Sequence, residues 1–175
     1  NLKASVFTAT SLDGFIAREN GELDWLDAAN ANVPRGEDCG YLKFIKTIDV
    51  LVRGEKPTES IVFWDVVIWK HIRNRFERNK IEFQNDLNQN IECSSESPKK
   101  LCERLSKEGA KGYMLTEGYH SAVFRRKTTI TVIPIILGSG KPLFNNVGKD
   151  ISLRHVATKT FDFGFVQLTC EVESA

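Results

Sequence analysis

The stretch Ser97-Pro98-Lys-Lys-Leu101-Cys-Glu-Arg-Leu105-Ser-Lys-Glu108-Gly109-Ala-Lys-Gly112-Tyr113-Met-Leu-Thr116 holds one helix and the strand that follows it. Ser97 is suited to cap the first turn. Pro98 fits the first helical position, where a fixed φ and a missing N–H cost nothing. Leu101 and Leu105 stack four residues apart, and Gly109 stops the helix. Tyr113-Met-Leu-Thr116 is then short, apolar and β-prone. A helix that feeds directly into a buried-strand run is the pattern of an α/β chain.

Working outward, the same alternation continues. Ala4 to Thr10 reads as a strand broken by Ser11-Leu12-Asp13-Gly14, and Arg18 to Glu37 as a polar loop rich in Asn, Gly and Asp. Asp38 is placed to cap a helix with Tyr41, Phe44, Ile45 and Ile48 on one face. Val50 to Val52 is a buried-strand run ending at Gly54, with a helix start beyond it, and a further helix is expected after Gly118. Thr128 to Leu137 predicts a long strand with a bulge or edge position at Pro134. Ile151 to Thr160 and Phe165 to Val172, separated by Phe161-Asp-Phe-Gly, predict an antiparallel hairpin.

Composition narrows the function classes. The 175 residues carry 24 Lys+Arg against 23 Asp+Glu, a net charge of +1, with 41% hydrophobic and 27% charged residues. That is an ordinary globular balance. It argues against a strongly basic nucleic-acid binder and against electrostatic docking to a membrane. No apolar run approaches the roughly 20 residues that cross a bilayer. The opening Asn1-Leu-Lys-Ala-Ser-Val-Phe carries no signal-peptide core, and its missing Met predicts a start after a processed or disordered residue. Cys39, Cys93, Cys102 and Cys170 lie far apart with no C-x-x-C pair, so reduced buried thiols in a cytoplasmic protein are expected, with no metal site. Between Lys70 and Asn90, five basic residues (Lys70, Arg73, Arg75, Arg78, Lys80) face three acidic ones (Glu77, Glu82, Asp86) around Phe76 and Phe83. A net +2 there reads as a solvated surface rather than a nucleic-acid patch.

Two junctions could hold a dinucleotide. Val50-Leu-Val-Arg-Gly54-Glu-Lys-Pro-Thr-Glu-Ser60 and Met114-Leu-Thr-Glu-Gly118-Tyr119 each place a glycine after a strand, where backbone N–H groups and a helix dipole favour phosphate. Either one alone is also how any α/β chain turns a corner. His71, His120 and His155 have neither triad nor ligand spacing.

Ala9-Thr10-Ser11-Leu12-Asp13-Gly14-Phe15-Ile16-Ala17, the later Asp24-Trp25, and Pro134-Ile-Ile-Leu-Gly-Ser-Gly-Lys-Pro-Leu-Phe144 resemble the dihydrofolate reductase-like family. The nearer likeness is to the C-terminal reductase domain of bacterial riboflavin-biosynthesis bifunctional proteins. The resemblance covers almost the whole chain. It implies one domain over residues 1–175, with a mixed, mostly parallel central sheet, flanking helices and the C-terminal hairpin. It further implies a homodimer that uses NADPH to reduce a small pterin-like or pyrimidine-like substrate. By the same resemblance Ala9, Thr10, Gly14 and Ile16 would line the nicotinamide. Gly54, Glu55, Lys56, Pro57, Thr58, Glu117, Gly118 and Tyr119 would line the phosphates, with Lys70 and His71 at the adenosine end. Asp13 is the catalytic candidate, hydrogen-bonding substrate or steering a proton; an Asp-Gly turn is the plainer account of it. Asp24-Trp25 reads either as a loop Asp beside a core-anchoring Trp or as a lid.

The departures from the family fall at the phosphates. Where it shows Gly-Arg-x-Thr-x-Glu, this chain has Glu55 for the Arg and Pro57 for the Thr, and Glu117 stands where a first glycine is usual. Pro57 offers no hydroxyl and no N–H, and a glutamate beside phosphate opposes binding. Weak NADPH affinity, with NADH as an alternative donor, is therefore expected. The rival reading is a non-catalytic dimeric nucleotide-binding or interaction protein that kept the fold and lost tight cofactor binding.

Overall fold

The computed structural model describes residues 3–54, 66–70, 91–94, 98–115, 127–144, 148 and 150–173. Their elements are β1 (Lys3–Ser11), β2 (Phe15–Ala17), α1 (Asp24–Asn30), α2 (Tyr41–Ile45), β3 (Val50–Gly54), β4 (Val66–Lys70) and β5 (Ile91–Ser94). They continue with α3 (Pro98–Lys107), β6 (Gly112–Leu115), β7 (Lys127–Ile133), β8 (Lys141–Pro142), β9 (Leu153–Thr160) and β10 (Val166–Val172). The strand order is β5-β4-β3-β6-β1-β7-β10-β9, with β2 and β8 forming a separate small sheet. The chain divides into two compact units, one of Asn1–Ser5 with Gly40–Val123, the other of Val6–Cys39 with Phe124–Ala175.

In the first unit β6 is the axis. It runs parallel to the start of β1, with Ala4 opposite Tyr113, and parallel to β3, with Leu51 opposite Met114. β4 pairs antiparallel with β3 and with β5. The helix-to-strand unit read from Ser97–Thr116 is present: α3 buries Leu101 and Leu105, and Ala110 N donates to Leu105 O at 3.1 Å where the helix ends. Each such leucine contributes roughly 1.5–3 kcal/mol by leaving water. Asp49 fixes where β6 begins. Its Oδ2 accepts from Lys111 N (2.9 Å) and Gly112 N (3.2 Å), while its own N donates to Gly112 O at 2.8 Å. The helix ahead of β3 departs from expectation. α2 starts at Tyr41 behind Gly40, not from a cap at Asp38, and Ile48 is buried beyond its end. Gly40 has φ +86°, so the chain enters α2 from a left-handed residue that a helix-capping aspartate would not adopt readily.

The second unit holds the core of Trp25, Ile133, Phe161 and Phe165, with Ala9, Leu26, Val33, Ile135 and Phe163 packed against it. β10 pairs antiparallel with β7 and with β9, so the C-terminal hairpin is present as read; Phe161 N donates to Phe165 O at 2.9 Å to close it. Phe163 lies 4.9 Å edge-on from Phe165, a favourable quadrupole geometry. A mostly parallel sheet was expected. Among the described strands β6 pairs parallel with β1 and with β3, whereas β3 with β4, β4 with β5, β7 with β10 and β9 with β10 pair antiparallel.

Two further corrections belong to this unit. β7 ends at Ile133, short of the expected Leu137: Pro134 has no N–H to give a neighbouring strand, and Ile135 N turns back onto Ile133 O at 2.8 Å. The segment read as a polar loop contains α1, which buries Trp25 and packs Leu26 and Ala29 against the same core. The helices expected after Gly54 and after Gly118 lie outside the described residues.

Candidate functional site

The turn Leu12–Gly14 follows β1 and faces the segment after β7. Its sequence decides its shape: Gly14 N donates to Ser11 O at 3.0 Å, and Gly14 has φ +86°. Ser11 is 1% exposed, and its hydroxyl accepts from Phe15 N at 2.9 Å, which starts β2. The Asp13 carboxylate then reaches across the sequence. Oδ1 accepts from Leu137 N at 3.2 Å and Oδ2 from Gly138 N at 2.8 Å. Backbone bonds flank this contact, Leu12 N to Ile135 O at 2.8 Å and Leu143 N to Gly14 O at 2.8 Å. Two motifs 124 residues apart in sequence therefore meet.

The electrostatics follow from those bonds. The Ser11 hydroxyl, and after it the Gly138 and Leu137 amides, hold the Asp13 carboxyl below the usual carboxylate range. Asp13 is ionised at neutral pH and accepts hydrogen bonds. In this arrangement it has no proton to deliver.

β2 and β8 pair antiparallel beside the turn, Phe15 opposite Pro142 and Ala17 opposite Lys141. Gly140 makes that approach possible, since a Cβ on it would lie 2.3 Å from Ala17 O. Arg18 grips Asp24 with two bonds, Nε to Oδ1 at 2.6 Å and a second to Oδ2 at 2.9 Å, which sets the start of α1. The guanidinium in turn draws the exposed Asp24 carboxyl downward. Trp25, 2% exposed, is a core anchor and not a lid, and its Nε1 has no hydrogen-bond partner among the described residues.

Other expected site residues divide plainly. Ala9 is half-buried against the core, Thr10 is buried in β1, and Ile16 is half-buried in β2. Gly54 ends β3 opposite Val66, and Lys70 ends β4 opposite Val50. Glu55, Lys56, Pro57, Thr58, His71, Glu117, Gly118 and Tyr119 lie outside the described residues. His155 bonds Thr158 Oγ1 at 2.8 Å on exposed β9. Among the described residues no cluster of His, Cys, Asp or Glu could hold a metal ion, and no helix is long and apolar enough to cross a membrane. Cys39 and Cys170 are free and half-buried. Leu137 and Gly138 are site residues that sequence reasoning did not single out. They contribute backbone amides, which leave no mark in the sequence beyond the Leu-Gly-Ser-Gly string itself.

The residues that the resemblance assigns to a dinucleotide's phosphates include Glu55, Pro57 and Glu117, which by residue type offer fewer donors and more negative charge than a tightly held 2′-phosphate requires. At the Ser11–Gly14 turn, the Asp13 carboxylate is taken up by the Leu137 and Gly138 amides.

No family-level sequence profile matches the chain. It is 30% identical over 168 residues to YwjB of Bacillus subtilis (strain 168), a protein described as uncharacterized, covering 91% of this chain and 92% of that one. YyaP of the same organism, also described as uncharacterized, is 26% identical over 175 residues, with 91% and 89% covered. Among solved structures, a protein of Shewanella sp. PV-4 provisionally described as a riboflavin biosynthesis protein superposes with a TM-score of 0.74. It is 21% identical and covers 98% of this chain and 99% of its own. The chain belongs to the family of YwjB, and it shares with the Shewanella protein the dihydrofolate reductase-like fold.

Proposed function

We propose that this chain is a nicotinamide-dependent reductase of a small pterin-like or pyrimidine-like substrate. The observation that carries the reading is the contact of Asp13 with Leu137 and Gly138, which joins the two most distinctive motifs across more than a hundred residues of sequence. A bound dinucleotide would supply the hydride. The protein's part is to orient the ring at Ala9–Ile16 and to keep an ionised carboxylate nearby without letting it act as an acid. The free, half-buried Cys39 and Cys170 suit a reducing compartment and support a cytoplasmic location.

The reading includes a homodimer. β9 is an edge strand exposed along its length, and Leu153, Val156, Val166 and Leu168 are exposed apolar residues on its hairpin with β10. Such an edge invites a second strand or a second sheet. Light scattering should return twice the 19.8 kDa chain mass; a mass of one chain at micromolar concentration would oppose it.

Glu55, Pro57 and Glu117 favour the second reading, a nucleotide-binding or interaction protein without turnover. Titration with NADPH and with NADH, followed by the fluorescence of the three Trp residues, separates the two. Saturable binding of either donor supports the reductase. Silence at millimolar donor supports the interaction protein.

A further inference from the structure

We propose that Asp13 is a positioning residue, whose carboxylate sets the backbone of Leu137 and Gly138 and thereby the wall that the segment after β7 gives to the ligand site. This rests on the reductase reading. The segment from Pro134 to Gly140 lies between β7 and β8 and belongs to neither strand. Ile135 and Leu137 pack against the core, whereas Ile136 is 70% exposed, so side-chain burial holds only one face of the segment. The turn opposite holds its backbone. Backbone bonds fasten its ends, Leu12 N to Ile135 O at one and Leu143 N to Gly14 O just past the other. Between them, Leu137 and Gly138 point consecutive amides at a single carboxylate, each oxygen taking one.

The chemistry of that contact explains the residue type. A carboxylate offers two equivalent acceptor oxygens on a short rigid stem, and charge-assisted bonds are about twice as strong as neutral ones. Asparagine keeps one acceptor and turns an N–H toward the second amide. A proton-delivering acid would need the opposite arrangement, a raised affinity for its proton and an oxygen left for substrate. Both oxygens are engaged instead.

The test is Asp13→Asn, with Asp27→Asn as an exposed control, read by backbone amide exchange and by NADPH titration. Leu137 and Gly138 should lose protection and shift in the amide spectrum, while the thermal midpoint moves little. The NADPH dissociation constant should rise about tenfold, equivalent to about 1.4 kcal/mol of lost binding. Unchanged signals at Leu137 and Gly138 would overturn the clamp. Lost protection with an unchanged dissociation constant would overturn its role in binding. Wild-type protein that binds no dinucleotide would defeat the reductase reading and the ligand arm with it, leaving the amide signals to judge the clamp. Exchange of both amides at the solvent-limited rate in the unaltered protein would overturn it without any variant having to fold.

Discussion

Replacing Gly140 by alanine adds a single methyl group at the closest backbone approach in the site. That Cβ would stand 2.3 Å from Ala17 O and 3.4 Å from both Ala17 C and Phe15 Cβ. The nearest atom is a backbone carbonyl oxygen in β2, so no flexible side chain can swing away. Relief requires β2 and β8 to separate, which strains the Leu143–Gly14 bond alongside. Overpacking of this kind costs roughly 1–3 kcal/mol. Gly140 also has φ +153°, a region L-residues avoid, which adds about 1–2 kcal/mol. The expected loss is therefore about 2–5 kcal/mol, or roughly 4–20 °C in melting temperature for a chain of this size. Gly138→Ala is the internal comparison. It has φ +77°, but its Cβ would meet nothing within 4 Å, so it should cost only about 1 kcal/mol. Urea denaturation of both variants against wild type is the assay. Gly140→Ala no less stable than Gly138→Ala would refute the steric argument and the β2–β8 approach behind it.

Trp25→Phe keeps most of the buried ring and removes an indole N–H that has no partner among the described residues, so it should cost far less than Trp25→Ala. Truncation to alanine is expected to lose about 3–5 kcal/mol in urea denaturation; equal losses would count against the packing described. The Arg18 guanidinium depresses the Asp24 carboxyl, so the stability Asp24 adds is present above the unfolded value near pH 4 and fades as pH falls below it. Wild type should then exceed Asp24→Asn most at neutral pH and converge with it in acid melts, and a gap that widened below pH 4 would reverse the sign. Glu55→Arg should tighten NADPH and raise its preference over NADH in paired titrations, because a guanidinium can hold the 2′-phosphate bidentately. A submicromolar wild-type constant with no gain from Glu55→Arg would show that other residues compensate.

The sequence shows most clearly those elements whose signals are local. α3 announces both ends by Pro98 and Gly109, and the C-terminal hairpin by two β-prone runs around Phe161-Asp-Phe-Gly. α1 escapes because its core-facing residues, Trp25, Leu26 and Ala29, cover little more than one turn between exposed Asp24, Asp27 and Asn30. β4 and β5 escape as well, since Val66–Lys70 and Ile91–Ser94 are short and flank a strongly charged stretch. The start of α2 turns on Gly40, where a glycine in a left-handed conformation overrides a good capping residue two positions earlier. At the site, Asp13 is visible as a residue, but its partners are amides at Leu137 and Gly138. Backbone donors have no side-chain signature, and the contact spans 124 residues or more. Hence its role could be read only as hydrogen-bonding substrate, steering a proton or shaping a turn until the fold brought the two segments together.

In the proposed reductase, the nicotinamide donor binds at the Ser11–Gly14 turn and the segment that Asp13 holds against it. Amide spectra of the labelled wild-type protein, recorded while NADPH is added, test this most directly. Saturable shifts are expected at Ala9 to Ile16 and at Leu137 and Gly138. Shifts confined to other parts of the chain, or none at millimolar NADPH, would contradict it.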